Sequence, residues 1–191
     1  GAAAALVQRS GPDALADPAA RQEILKVTSE LERHADNVAA SIDGGVVVAA
    51  GDDVVQVPLA INPVVLVWVP EATTSTDHSR NRLPDTVSRD DAVFNIGRAA
   101  MFVAACATGD VAALRAATED RLHQSHRLEQ VPDSADALER ALGAGAWAAW
   151  LSGSGPTIAA MCDVDTADEI VAALPESGHC RLLRIDHDGV V

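Results

Sequence analysis

Basic residues are scarce in this chain. Lys and Arg together number 14 against 28 Asp and Glu, a formal charge of −14 over 191 residues, and such a surface disfavours nucleic acid and anionic membranes, which both select basic faces. Lysine is nearly missing: thirteen of the fourteen are Arg and one is Lys26. Recognition of an anion therefore falls to planar guanidinium forks or to a bound cation. Cysteine is sparse as well. Cys106, Cys162 and Cys180 show neither CxxC spacing nor a nearby His pair, which argues against a disulfide framework and against a zinc site and reads as buried thiols. No apolar run reaches the length of a membrane span, and no basic segment followed by a signal-type core opens the chain, so a cytoplasmic location is expected. A Gly-x-Ser-x-Gly elbow, HExxH, Walker A and a GxGxxG followed by an acidic residue are absent too, so serine hydrolase, zincin, P-loop and Rossmann readings lack support.

What is present suits a folded core, with 48% hydrophobic residues in a length that fits one large domain or one and a half small ones. Gly1 to Arg9 reads as an Ala-rich helix entered without a cap, as if its start lay upstream. Asp17-Pro18 opens a helix to about Leu31 to Arg33, with Ile24, Val27 and Leu31 inward. Val46 to Ala50 and Val54 to Val57 flank Gly51-Asp52-Asp53 as a hairpin, and Val64 to Val69 is a central strand. Ser88 to Asp91 is a capping-box-like start to a helix reaching Ala107, with Ala92, Ile96, Ala99 and Val103 inward. Gly109 ends it. Further helices follow from Asp110 to Leu128 and from Ser134 to Leu142. Trp147 to Met161 is a hairpin around Ser152-Gly153-Ser154-Gly155-Pro156, Thr166 to Leu174 is helical, and Cys180 to Asp186 is a strand. From Val64 onward this order predicts a split β-α-β plait with extra helices in its first crossover.

Three groups of residues could carry chemistry. The first joins two helices: Glu32-Arg33-His34-Ala35-Asp36-Asn37, followed by Gly44-Gly45. Glu32 lies at the negative end of a helix beside its buried stripe, so it wants a cationic partner, either an arginine or a divalent ion such as magnesium. Asp36 or Asn37 can equally be the N-cap of the next helix, and His34 can satisfy a carbonyl. The second group is Asn95 and Arg98. Phe94 and Phe102 stand four residues either side of Arg98, so its stem runs along an apolar stripe and its guanidinium emerges at the rim, in need of an anion that Asn95 could also reach. The third is Arg127, which shares a face with Asp120 and His123 and by spacing alone reads as a solvated helical face with an internal ion pair. The Gly153-Ser154-Gly155 turn allows a close backbone approach to a ligand, and is also an ordinary hairpin turn.

Glu32-Arg-His34-Ala-Asp36-Asn37, Asp91-Ala-Val-Phe-Asn95-Ile-Gly-Arg98, Glu119-Asp-Arg-Leu-His-Gln and Leu151-Ser-Gly-Ser-Gly-Pro-Thr157, in that order, resemble the homoserine kinases of the GHMP kinase superfamily across almost the whole chain. The resemblance implies an α+β chain: the end of a ribosomal S5-like ATP-binding domain over 1–57, then a ferredoxin-like split β-α-β domain with inserted helices over 58–191. It implies transfer of the γ-phosphoryl of ATP to the hydroxyl of L-homoserine, with Mg2+ on Glu32. His34, Asp36 and Asn37 would line the homoserine pocket, Asn37 near the accepting hydroxyl, and Arg98 and Arg127 would grip the carboxylate. Gly153, Ser154 and Gly155 would support the nucleotide side. Glu32, Asn37 and Arg98 are the catalytic candidates, and a homodimer is compatible.

Departures from the family pattern are Arg33, Ala35 and Ser125-His126, where relatives commonly have Gly, Pro and Pro-Tyr. The family's Gly-Leu-Gly-Ser-Ser phosphate loop is expected upstream of Gly1, so this stretch alone should bind nucleotide poorly. Two alternatives remain: another GHMP small-molecule kinase, or a non-catalytic ligand-binding module derived from one.

Overall fold

A computed structural model describes residues 17–32, 35–51, 53–71 and 83–189, apart from the side chains of Pro18 and Glu32. The helix expected over Gly1 to Arg9 lies outside them. Two compact units emerge, Gly1–Leu59 with Ile185–Val191, and Ala60–Arg184.

In the first unit, helix α1 (Pro18–Glu32) starts as predicted, with the Asp17 carboxylate accepting the Ala19 N–H at 3.1 Å and proline where its missing N–H costs nothing. Its buried stripe is shorter than predicted. Ile24 is buried and packs with Leu25 and with Val38 and Ile42 of helix α2 (Asp36–Asp43), whereas Leu31 is 65% exposed. The capping reading of Asp36 and Asn37 is corrected likewise. Ala35 holds the N-cap position without a side-chain bond, and the Asp36 carboxylate accepts the N–H of Asn37. Strands β1 (Val46–Ala50) and β2 (Asp53–Val57) form the predicted antiparallel hairpin, Val46 opposite Val57. The closing segment comes back to this unit, where the Asp186 carbonyl accepts the Gly45 N–H at 2.6 Å.

The second unit is the predicted plait. Strands β3 (Val64–Pro70), β4 (Ala148–Leu151), β5 (Ile158–Cys162) and β6 (Gly178–Arg184) pair antiparallel in the order β4-β5-β3-β6. Helices α6 (Pro132–Gly143) and α7 (Ala167–Ala173) cover one face, closing a core of Leu66, Trp68, Leu151, Ile158 and Ile170 with alanines between them. Small side chains let helix and sheet approach closely, so the core is filled by fit more than by bulk. Burial raises the thiol pKa of Cys106, Cys162 and half-buried Cys180, which favours the protonated thiol over the reactive thiolate.

The inserted helices are α3 (Arg89–Thr108), α4 (Val111–Ala117) and α5 (Gln124–Leu128). Ser88 caps α3 by accepting the Asp91 N–H, and Gly109 ends it at φ 80°. Phe102 meets Trp150 edge-on at 6.4 Å, on the sheet face opposite the main core. Two expectations fail here. The helix predicted from Asp110 to Leu128 is two helices with a turn over 118–123, since the Asp120 carboxylate accepts the backbone N–H groups of Leu122, His123 and Gln124 and so competes with helical bonding. The inward face of α3 is also rotated from the predicted one. Ile96 is 70% exposed and Ala105 and Cys106 are buried, because the first half of the helix turns Asn95 and Arg98 toward the protein.

Candidate active site

The rotation of α3 sets up a polar cluster inside the second unit. Asn95 and Arg98, one turn apart, face the 118–123 turn, and each finds an acid there. The Asn95 amide donates to the Asp120 carboxylate at 2.6 Å and its oxygen accepts the Arg121 N–H at 2.9 Å. Arg98 donates to Glu119 at 2.7 Å. Its guanidinium also sits 4.4 Å from the centroid of Phe94, and that of Arg121 sits 3.8 Å from the same ring. An aromatic face attracts a cation and leaves its N–H groups free for a partner.

Asp120 is the best-bonded acid of the cluster, its side chain only 15% exposed. Burial pushes its carboxyl up, but the Gln124 and His123 N–H groups, the Asn95 amide and the His123 charge outweigh burial and hold it below its ordinary value. His123 stands 3.6 Å from Asp120. Burial lowers its pKa, Asp120 works the other way, and Arg127 adds to the lowering. The ring is therefore neutral at neutral pH.

Helix α5 carries the other guanidinium. Arg127 donates to the Gly153 carbonyl at 3.2 Å, and the Gln124 side chain accepts the Leu151 N–H at 2.6 Å. Both bonds tie α5 to the turn between β4 and β5. That turn is the tight one the sequence predicts: Ser152 and Thr157 close it, and Gly153 and Gly155 have φ of 56° and 72°. Ser154 lies between them, half-buried. Ser134, buried in α6, donates to the Pro156 carbonyl at 2.6 Å.

Arg98 and Arg127 thus flank one network, Arg98 through Glu119 beside Asp120 and Arg127 through His123, while their partners leave them incomplete. The Nε of Arg98, the Nε of Arg127 and the Nδ1 of His123 are buried without a hydrogen-bond partner among the described residues. Three guanidiniums here face two carboxylates, a local positive excess in a chain of net charge −14. Such a surplus, with unspent donors, suits a carboxylate or phosphate. Asn95 spends its oxygen and one amide N–H within the cluster, on the Arg121 N–H and on Asp120, which leaves its second amide N–H. Sequence reasoning placed Asp120 on the face of Arg127 but missed its bond to Asn95, and missed Arg121 and Gln124 as parts of this cluster.

The remaining candidates belong to the first unit. Asp36 and Asn37 are both exposed on α2. The Glu32 backbone closes α1, whose last turn holds no basic residue; its side chain and His34 lie outside the described residues. Among the described residues, no group of three or more His, Cys, Asp or Glu could hold a metal ion. A cleft of about 370 Å³ in this unit is lined by Gln22, Glu23, Lys26, Ser29, Ala35 and Gly51, among others, and contains none of the predicted site residues.

Residues 102–180 match the GHMP kinases C terminal family, and those residues run from α3 through the Asp120 turn, α5 and the glycine turn to β6. The chain carries a GHMP kinase C-terminal domain. It is 44% identical over 152 residues to the homoserine kinase of Moorella thermoacetica, covering 78% of this chain and 51% of that protein. With the homoserine kinase of Thermus thermophilus it shares 39% identity over 156 residues, 81% of this chain and 53% of that protein. The crystal structure of homoserine kinase from Cytophaga hutchinsonii superposes with a TM-score of 0.79 at 27% identity, over 88% of this chain and 58% of that one. The chain spans about half the length of the curated relatives it matches. Among the described residues, no helix is long and apolar enough to cross a membrane.

Proposed function

We propose that this chain is part of a homoserine kinase, and that Arg98 and Arg127 hold the carboxylate of L-homoserine while its hydroxyl is phosphorylated by ATP. The observation that carries this reading is the pair of guanidiniums on the Asp120 network, each with a buried Nε that no group among the described residues uses. The similarity to homoserine kinases over 78% of the chain supplies the acceptor. In the reaction the homoserine oxygen forms a bond to the γ-phosphorus, the bond to the β,γ-bridging oxygen breaks, ADP leaves and the hydroxyl proton is lost, giving O-phospho-L-homoserine on the route to threonine. Phosphoryl transfer depends on positioning and charge neutralisation, so the chain's contribution is to fix the acceptor by its charged end and to favour an anionic transition state.

In this reading residues 1–57 complete an ATP-binding domain and the acceptor-side domain falls within residues 58–191, whose closing segment from Ile185 belongs to the first unit. His34, Asp36 and Asn37 are the first domain's homoserine-binding residues, and Gly153, Ser154 and Gly155 are the second domain's support for the nucleotide. Glu32, at a helix end without a basic residue in its last turn, would hold Mg2+, which supplies charge neutralisation to the phosphates when bound. A cytoplasmic enzyme, with room for a homodimer, completes the proposal.

The test is an assay of the full-length gene product with ATP against homoserine, mevalonate and sugars. Homoserine is expected to be the preferred acceptor; preference for another alcohol overturns the acceptor assignment.

A further inference from the structure

Arg98 and Arg127 sit on different helices, and a carboxylate can be gripped by both only if those helices keep a fixed spacing. Their own bonds do not secure it. Arg98 is tied to Glu119, which is 55% exposed, and such a pair holds little in water. Asp120 is placed to do it instead. One oxygen of its carboxylate accepts the N–H groups of Leu122, His123 and Gln124 at 3.0, 2.7 and 2.8 Å, fixing the start of the helix that carries Arg127. The other accepts the Asn95 amide at 2.6 Å, one turn before Arg98 on α3. Asn95 returns a bond by accepting the Arg121 N–H at 2.9 Å. Beyond α5, Gln124 and Arg127 carry the connection to the glycine turn at Leu151 and Gly153. Asp120 lies between the two guanidinium helices without being needed to touch the acceptor.

We propose that Asp120 is a positioning residue for acceptor recognition: through Asn95 on one side and the backbone of α5 on the other, it sets the spacing of Arg98 and Arg127 that a single carboxylate requires. This rests on the reading that those two arginines hold the acceptor carboxylate. A plain helix cap would matter for stability only. A spacing device also matters for the affinity of carboxylate-bearing ligands and not for others.

The experiment uses the full-length gene product and two ligands, homoserine and aminopropanol, which is homoserine without its carboxylate. Asp120→Asn keeps an oxygen for the α5 N–H groups but turns a donor toward the Asn95 amide, breaking the bridge. It is expected to raise the KM for homoserine about tenfold, as small misplacements of a binding group do, with kcat, the KM for ATP and the inhibition constant of aminopropanol nearly unchanged. Adding Asn95→Asp to it reverses the polarity of the bridge and rebuilds it, and is expected to recover most of the loss. Asn95→Ala, which cuts the same link and spares the α5 bonds, should reproduce the rise if Asp120→Asn proves too unstable to assay. Equal effects on homoserine and aminopropanol, or an unchanged homoserine KM beside a broken bridge, overturn the proposal. A wild-type protein that does not phosphorylate homoserine overturns the functional reading and this proposal with it.

Discussion

Partly buried ionisable groups leave their mark on stability as pH changes, and here two neighbours act at different pH. Asp120 has a carboxyl held below its ordinary value of 3.8 in the folded chain, so its stabilisation is full above that value and is lost as pH falls through the folded one. His123 has a folded pKa below its ordinary 6.5, chiefly because of burial. The unfolded chain then takes up the proton more readily, so stability falls as pH drops below 6.5 toward the folded value. Part of the ring is exposed, which limits the size of the effect. Melting temperature against pH for wild type and His123→Gln is expected to show a shallower decline in the variant just below pH 6.5. Parallel curves would show that the imidazole is not held neutral by its surroundings.

Elements were legible in the sequence where the signal is local. The apolar run from Val64, the hairpin about Gly153 and Gly155, and the Ser88 and Gly109 ends of α3 are all written in adjacent residues, and all are found. Arg98 was legible as an inward cation because Phe94 and Phe102 stand four residues either side. The break at 118–123 was not, since Glu119 and Asp120 read like any acidic helical face, and what sets them apart is Asn95, 25 residues earlier in the chain. The same long-range bond accounts for the misjudged face of α3: a stripe chosen by apolarity points Ile96 inward, whereas this helix spends inward positions on Asn95 and Arg98, which bond to the 118–123 turn. The glycine turn offers a test at this scale. A Cβ on Gly155 would lie 2.6 Å from Cδ1 of buried Leu151 at φ +72°, whereas one on Gly153 at φ +56° meets nothing within 4 Å. Gly155→Ala is expected to cost about 2 to 4 kcal/mol, from overpacking plus left-handed backbone, and Gly153→Ala about 1 kcal/mol, from backbone alone. Denaturant unfolding measures both. Equal losses would mean that Leu151 moves aside freely and that the turn is not held against β4.

At the scale of the molecule, the sequence order of elements placed the plait correctly but could not place the last residues, because the contact that captures them has no periodicity to announce it. Asp186 to Gly189 returns to the Gly44-Gly45 turn of the first unit, and Gly44 and Gly189 are there for close approach. A Cβ on Gly44 would lie 2.5 Å from the Gly189 nitrogen, and one on Gly189 would lie 2.7 Å from the Gly44 nitrogen and 2.8 Å from the Ile42 carbonyl carbon, with φ at +70° and +69°. These are backbone atoms, so relief requires the segment to detach. Gly189→Ala is therefore expected to release the closing segment and to loosen the unit that it belongs to. Hydrogen exchange is the suitable measurement, since local opening is seen there amide by amide. Protection should fall at Gly45 and along β1 and β2, and should persist in the four-stranded sheet, whose core of Leu66, Trp68, Ile158 and Ile170 does not include the tail. Equal loss of protection in that sheet would show that the two units unfold as one, and that the tail supports the whole chain and not only the unit it joins.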